Sequence, residues 1–532
     1  MMKKPLLRYS FALAVVIISC SGCKNTGLVL EAEQADMIRN ARVEYHPLDP
    51  GNAFVNCRYE KHTSIDWDFS SSNPGEGRLS IRYANGTELP VTMRLFTNGS
   101  EAPELEFLPT GDWETWNTVK VPISAQQGNN IIRIATQGSS PILLDRLIIE
   151  GFRHESIKFP VNRIEWEETE AQKNMDWSAE MVRSVMEIRT PESFGAWYYG
   201  HALMLEGMYR TYRRTGNKEI LEFIKSWCDN QINPDGSLKR EIHSLDNIYP
   251  GVILLRMYQE SREEKYQIAA KEVRKCIHDY PRTTDGAMWH NHEAAGQLWL
   301  DGVYMSMTFL ARYAVIFGEE ELLDDAVRHF RIYYTHLHDP KTGLMFHAYD
   351  EDGSEEWAGN PGRHSSQFWG RSIGWFVMAL TEVLEVMPEE HEGRSELERM
   401  LSSLLNALVK YQDPGSGMWY QVTNKPGENG NWEESSCTAM YLYAMKGAVD
   451  MDLAGEHILE SIIRGVDGLN KKISLDHNGH VRLKDICIGT NIGNYEYYCK
   501  RLTAINDNHG RGAFLIMNEL VNYNNMATTS MN

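Results

Sequence analysis

The feature that most constrains this chain is a turn that recurs five times along its second half. Asn233-Pro234-Asp235-Gly236-Ser237-Leu238, Thr284-Asp285-Gly286-Ala287-Met288-Trp289-His290, Asp339-Pro340-Lys341-Thr342-Gly343-Leu344-Met345-Phe346-His347, Asp413-Pro414-Gly415-Ser416-Gly417-Met418-Trp419-Tyr420 and Asp476-His477-Asn478-Gly479-His480-Val481 each carry a central glycine. From Gly236 through Gly286, Gly343 and Gly417 to Gly479 the intervals are 50, 57, 74 and 62 residues. Each turn follows a charged amphipathic stretch and precedes a more apolar one, so the repeating unit is a helical hairpin closed by a short β-like loop. Inner helices counted from Trp197, Ile248, Leu300, Ile373, Cys437 and Gly512 give six such units. Six hairpins closing on themselves predict a mainly α fold, an (α/α)6 barrel over 160–532. Its pocket is expected at the open face where the inner helices begin and the decorated loops gather.

The preceding region has a different period. From about 28 to 152, short alternating runs such as Arg78-Leu79-Ser80-Ile81-Arg82-Tyr83, Val91-Thr92-Met93-Arg94-Leu95-Phe96 and Asn130-Ile131-Ile132-Arg133-Ile134 are broken by turn residues, which predicts a β-sandwich of jelly-roll type. Ahead of it, Lys3, Lys4 and Arg8, the apolar run Phe11 to Ile18 and Ser19-Cys20-Ser21-Gly22-Cys23 read as an export signal over 1–23. Its end resembles a bacterial lipobox, with Cys23 or Cys20 the acylated residue. The mature chain is then expected in the periplasm or at the outer membrane and cell surface, touching membrane only through a lipid anchor. The excess of 73 Asp+Glu over 53 Lys+Arg argues against nucleic acid as a partner. Cys57, Cys228, Cys276, Cys437, Cys487 and Cys499 show no CxxC or zinc spacing and read as buried thiols.

At the joins between turn and inner helix, aromatic and ionisable residues concentrate: Trp197-Tyr198-Tyr199, Leu245-Asp246-Asn247-Ile248, Trp299-Leu300-Asp301-Gly302 and Phe368-Trp369-Gly370-Arg371-Ser372-Ile373-Gly374-Trp375. Sugar rings stack on aromatic faces through C–H bonds while their hydroxyls and carboxylates need directional partners, so this mixture suits a carbohydrate site. Taken singly, Asp246 or Asp301 reads equally well as a helix cap; their recurrence at successive repeats favours a pocket. Arg371 has a structural ion pair as its plainer role, and barrel interiors absorb tryptophans for packing alone. No HExxH occurs, and Asp350-Glu351-Asp352-Gly353-Ser354 lacks the sixth-position glycine of an EF-hand loop.

The segments Trp299-Leu300-Asp301-Gly302-Val303-Tyr304-Met305, Leu245-Asp246-Asn247, Met288-Trp289-His290, Gly343-Leu344-Met345-Phe346-His347 and Trp369-Gly370-Arg371-Ser372-Ile373-Gly374-Trp375, in this order, resemble glycoside hydrolase family 105, the unsaturated rhamnogalacturonyl hydrolases. The related family 88 shares the barrel; the stretch after Asp301 favours 105. The resemblance implies removal of a 4,5-unsaturated uronic acid from the non-reducing end of lyase-generated oligosaccharides by hydration of the double bond. It implies Asp301 as an acid and base with a raised pKa, Asp246 as its neighbour, Arg371 on the uronate carboxylate, His290 and His347 on the sugar, and Trp299, Trp369 and Trp375 as stacking surfaces. No metal is implied for catalysis.

In the N-terminal region, Glu31-Ala32-Glu33, Arg82-Tyr83-Ala84-Asn85-Gly86, Thr110-Gly111-Asp112-Trp113-Glu114-Thr115-Trp116, Gly128-Asn129-Asn130 and Leu144-Asp145-Arg146-Leu147 resemble carbohydrate-binding modules of families 6 and 35. That resemblance implies a structural calcium on Glu31, Glu33 and Asp145. Trp113 and Trp116 read as sandwich core rather than as a stacking platform. Two other functions remain open to the sequence: an inverting glycosidase acting on a saturated sugar with Asp246 and Asp301 as acid and base, and a non-catalytic glycan-binding surface lipoprotein.

Overall fold

A computed structural model describes residues 28–58, 61–102, 104–136, 138–152, 157–158 and 175–523. The export signal with Cys20 and Cys23 lies outside these residues, as does most of the segment joining the two regions.

The N-terminal strands form two antiparallel sheets. The first runs β10 (Asn117–Ala125), β6 (Gly75–Ala84), β12 (Leu143–Glu150), β4 (Asp49–Asn56), β3 (Arg42–His46), with β1 (Leu28–Glu31) also on β12. In the second, β5 (Ser64–Ser71), β11 (Gly128–Ala135) and β7 (Val91–Thr97) are successive neighbours. Alternation puts Val91, Met93 and Leu95 of β7 and Ile132 and Ile134 of β11 inward, where they meet Trp67, Ile81 and Leu147. Trp113 and Trp116 are not part of this core. Both are half-buried at the surface, where the Arg58 guanidinium lies 4.6 Å from the Trp113 ring centroid and that of Arg82 lies 4.8 Å from Trp116. The indoles cover the arginine stems instead of filling the sandwich.

The expected calcium ligands are neighbours but do not compose a metal site as they stand. Asp145 accepts from Arg82 (2.7 Å) and Arg146 (2.6 Å), and Arg146 lies 3.9 Å from Glu31. Burial, with smaller contributions from the charges of Glu31 and Asp145, pushes Glu33 up to about 8, and its Oε2 is buried without a protein hydrogen-bond partner. Among the described residues no group of three or more His, Cys, Asp or Glu side chains is arranged to hold a metal.

The six inner helices are those expected from the repeat: α2 (Tyr199–Thr215), α4 (Gly251–Ser261), α6 (Asp301–Phe317), α8 (Gly370–Val386), α10 (Ser435–Asp450) and α13 (Asn508–Asn518). Each packs on the next and α13 returns to α2, which closes the ring. Outside them lie α1 (Trp177–Ile188), α3 (Lys218–Gln231), α5 (Glu264–His278), α7 (Glu321–Leu337), α9 (Arg394–Val409) and α11 (Glu456–Asn470). The apolar inner helices bury all sides: every residue of α8 from Gly370 to Leu384 is buried. The charged outer ones bury one stripe, as in α5 with Tyr266, Ala269, Ala270, Val273 and Ile277.

All five repeat glycines have positive φ, from 76° at Gly343 and Gly479 to 104° at Gly286. The turn therefore needs a residue without a Cβ. At Gly417 a Cβ would also come within 2.1 Å of the Arg464 carbonyl oxygen.

The two regions share a sheet. Strand β19 (Thr503–Ile505), from the loop before α13, pairs antiparallel with β3, and β18 (Ile486–Cys487) continues beyond it. Side chains reinforce this seam: the Tyr45 hydroxyl donates to Asp485 (2.8 Å) and accepts from the Asp485 backbone N–H (2.9 Å), and Thr503 donates to the Tyr45 carbonyl (3.0 Å).

Gly417→Ala is expected to cost clearly more than Gly318→Ala. Gly318 has a similar φ of 72° with open space around it, so its substitution carries only the left-handed strain of about 1 kcal/mol. Thermal melts of the two variants check this, and equal losses would remove the steric argument.

Candidate active site

Hydrogen bonds between consecutive loops set the site out side by side. Leu245 N–H donates to the His290 carbonyl, His290 N–H to that of Gln297, and Leu300 N–H to that of His347, each at 2.9 Å. Strand β14 (Gln297–Trp299) pairs with β15 (Ala348–Asp350), placing Trp299 opposite Ala348. This lateral stitching gathers Asp246, His290, Trp299, Asp301 and His347 at one end of the barrel. Neither aspartate is a helix cap. Ser244 caps the short turn that holds Asp246, and Asp301 is the first residue of α6, after Leu300.

Asp301 points its Oδ2 at Nε2 of His347, 3.3 Å away, without the alignment of a hydrogen bond. Nδ1 of His347 is 2.7 Å from the Tyr498 hydroxyl, which accepts from the Gly493 N–H. With the Asp301 carboxylate facing Nε2, the His347 proton sits on Nε2 and the Tyr498 hydroxyl donates to Nδ1. Asp301 Oδ2, His347 Nε2 and His290 Nδ1 are buried with no protein hydrogen-bond partner, which is how a pocket looks when its polar atoms are reserved for a ligand.

The two carboxyls are pushed apart. Burial, then the charge of Asp301, raises Asp246 to about 7. At Asp301 burial also pushes upward, but His347, His290 and Arg371 together outweigh it and hold the group below its ordinary value. The expectation that Asp301 carries the raised pKa is corrected: cationic and N–H neighbours surround Asp301, whereas Asp246 faces burial and a like charge. His290, driven down to about 4 by burial, is neutral and stacks flat on Trp299 with centroids 4.4 Å apart.

Trp299 is half-buried, stacked on His290 and set edge-to-face with His347. Trp369 and Trp375 are each 1% exposed, so they are walls rather than stacking platforms. Trp369 donates to Gln421 (3.1 Å) and packs 4.6 Å from His347; Trp375 lies between Tyr304 and Tyr199. Arg371 also departs from expectation. It is fully buried and donates through Nη1 to the Cys487 carbonyl and through Nη2 to that of Ile488 (2.7 Å). Its terminal nitrogens tie down the loop after β18, and it acts on Asp301 through charge, not by gripping a ligand carboxylate from two sides.

Sequence reasoning passed over Tyr498, which orients His347, and the trio Tyr199, His509 and Asp507. No motif marks Tyr498. Asp507 and His509 sit where the sixth inner helix begins, at Asn508 instead of Gly512, and Tyr199 opens the first.

A glycosyl hydrolase family 88 model matches residues 168–523. The chain belongs to this family. It is a glycoside hydrolase of the family 88 and 105 group: a family 105 glycoside hydrolase from C. acetobutylicum is 34% identical, with 65% of this chain and 99% of that chain covered and a TM-score of 0.63. The chain is also 27% identical, over 46% of its length and 71% of the relative's, to the unsaturated rhamnogalacturonyl hydrolase YesR of Bacillus subtilis. The N-terminal region of this family 88 hydrolase is similar to a family 35 carbohydrate-binding module from Clostridium thermocellum, at 33% identity with 23% of this chain and 97% of that one covered and a TM-score of 0.22.

In Asp301→Asn the Asp246 carboxyl is expected to titrate well below about 7, yet still above the ordinary 3.8 because its burial persists. Carbon-13 NMR of the carboxyl reads this directly; an unmoved titration would break the coupling between the two.

Proposed function

We propose that this hydrolase removes a 4,5-unsaturated uronic acid from the non-reducing end of lyase-generated oligosaccharides. The observation that carries the reading is the buried pair Asp246 and Asp301, one carboxyl raised to about 7 and the other held below its ordinary value, gathered with the partly exposed Trp299 at one end of the barrel. The name of the Bacillus subtilis relative supports the substrate class. A saturated glycoside offers a proton donor only its exocyclic oxygen. The unsaturated uronate also presents an enol ether across C4, C5 and the ring oxygen. Proton delivery to C4 leaves a positive charge at C5 that the ring oxygen shares, and water then adds at C5. The resulting hemiketal opens and releases the remaining chain, so one water is consumed and C1 is never attacked.

The protonation states divide the work. Asp246, the carboxyl that keeps its proton up to about pH 7, delivers it to C4. Asp301, kept ionised by His347, His290 and Arg371, takes a proton from the attacking water. This replaces the simpler scheme in which Asp301 alone performs both transfers. Trp299, backed by His290, stacks on the sugar, and the Nε2 proton of His347 serves a sugar oxygen or the attacking water.

The export signal and its cysteines support a location outside the cytoplasm as a lipoprotein, acylated at Cys23 or Cys20. Metabolic labelling with palmitate should be lost in Cys23→Ala or in Cys20→Ala; labelling that survives the double substitution would exclude the anchor.

Activity is read as loss of the ultraviolet absorbance of the conjugated enol ether. Asp246→Asn and Asp301→Asn are each expected to lower kcat by at least about a hundredfold, the usual worth of a positioned acid or base, with binding largely kept. In the wild type, kcat/KM should fall above about pH 7 as Asp246 loses its proton, while the acidic limb lies below the ordinary carboxylate range. If Asp246→Asn turns over with an unchanged alkaline limb, Asp301 performs both steps. Release of reducing sugar with the absorbance intact would instead identify a conventional glycosidase.

A further inference from the structure

At the seam between sandwich and barrel, one side chain from the sandwich reaches Asp507, the cap of α13. Arg42, the first residue of β3, donates from Nη1 to Oδ2 of Asp507 at 2.9 Å. The Asp507 side chain is only 2% exposed, and the Arg42 guanidinium balances its charge together with His509. The other carboxylate oxygen takes the backbone N–H of His509 (2.9 Å) and the ring Nδ1 of the same histidine. That leaves Nε2 of His509 as the acceptor for the Tyr199 hydroxyl, 2.7 Å away. Tyr199 opens α2, is partly exposed and lies edge-on to Trp375, and Trp197 just before it donates to the carbonyl of Asn247, the neighbour of Asp246 (2.7 Å).

We propose that Arg42 of the β-sandwich is a positioning residue of the barrel's active site, acting through Asp507 and His509 to aim the Tyr199 hydroxyl. With its proton committed to His509, that hydroxyl keeps lone pairs that accept from a sugar hydroxyl. Within the barrel, His509 also bears on the Asp507 carboxylate, while the terminal nitrogens of Arg371 are bound to the carbonyls of Cys487 and Ile488. Without Arg42, the enclosed Asp507 carboxylate loses the guanidinium that holds its Oδ2 in place. It then no longer fixes the His509 tautomer, and Tyr199 loses its single orientation. The N-terminal module thus completes the catalytic pocket, apart from any affinity it has for polysaccharide.

This inference rests on the turnover proposed above, so its test has an arm that does not. In the full-length enzyme, nitrogen-15 NMR of His509 should show a protonated Nδ1 and an accepting Nε2, and Arg42→Gln should mix the tautomers while Arg42→Lys preserves them. On an unsaturated disaccharide, Arg42→Gln should lower kcat/KM about tenfold, the cost of about one misplaced hydrogen bond, and Arg42→Lys should recover most of it. In a Tyr199→Phe background, Arg42→Gln should have no further effect. Tyr45→Phe cuts a different bond of the same seam and should lower the melting temperature with kcat/KM unchanged. Equal losses from Arg42→Gln in both backgrounds, or a matching loss in Tyr45→Phe, would reduce Arg42 to a docking contact. Should Arg42→Gln fail to fold, tautomers unchanged from wild type in Arg42→Lys together with a tenfold loss of activity would overturn the relay. Absence of turnover in the wild type with the tautomer result intact would discard the substrate assignment alone.

Discussion

Charges buried on the barrel axis hold the inner helices in one register. Glu206 of α2 accepts from Arg210 one turn along (3.1 Å) and from Arg256 of α4 (2.7 Å); Glu382 of α8 accepts from Arg312 of α6 (2.8 Å) and lies 3.4 Å from Arg210. These carboxylates have no side-chain exposure, and the arginines around Glu206 hold it down at about 2 despite its burial. An unpaired charge there would be strongly destabilising, so sliding any of the four helices past its neighbour is penalised. Tyr304 carries the network upward, donating to Glu382 (3.0 Å) and packing on Trp375, which in turn supports Tyr199. The floor of the pocket is thereby tied to an ionic lattice that admits one arrangement.

Much of this was legible in the residues. The glycine-centred turns gave the number and order of the hairpins because positive φ is a requirement a sequence displays openly. Asp246, His290, Trp299, Asp301 and His347 come together because they lie at the ends of the turns and at the starts of the inner helices in successive repeats. Other features depend on relations that a linear reading does not carry. Trp369 and Trp375 have the right type for sugar stacking, but only the packing of α8 shows that both turn into the wall. Arg371 is spent on carbonyls more than a hundred residues away, and the Tyr498 that orients His347 lies 151 positions from it.

The proton's location is the sharpest example. Two aspartates in one cavity imply a shared proton, yet which of them keeps it is decided by what surrounds each. Asp301 has His347, His290 and Arg371 on its side, and Asp246 has only enclosure and the opposing carboxylate. Residue type at those two positions is identical, so nothing in the sequence separates them. The difference arises entirely from partners recruited from other repeats.

The continuous sheet through β3 and β19 changes what kind of object the N-terminal region is. A lectin on a string samples space around its enzyme and can be clipped off without injury. Here excision would strip a strand of its neighbour and leave a raw backbone edge on the barrel, a template for self-association. The two regions are therefore inseparable in a practical sense: expressed alone, the barrel inherits a sticky flank that the sandwich normally seals.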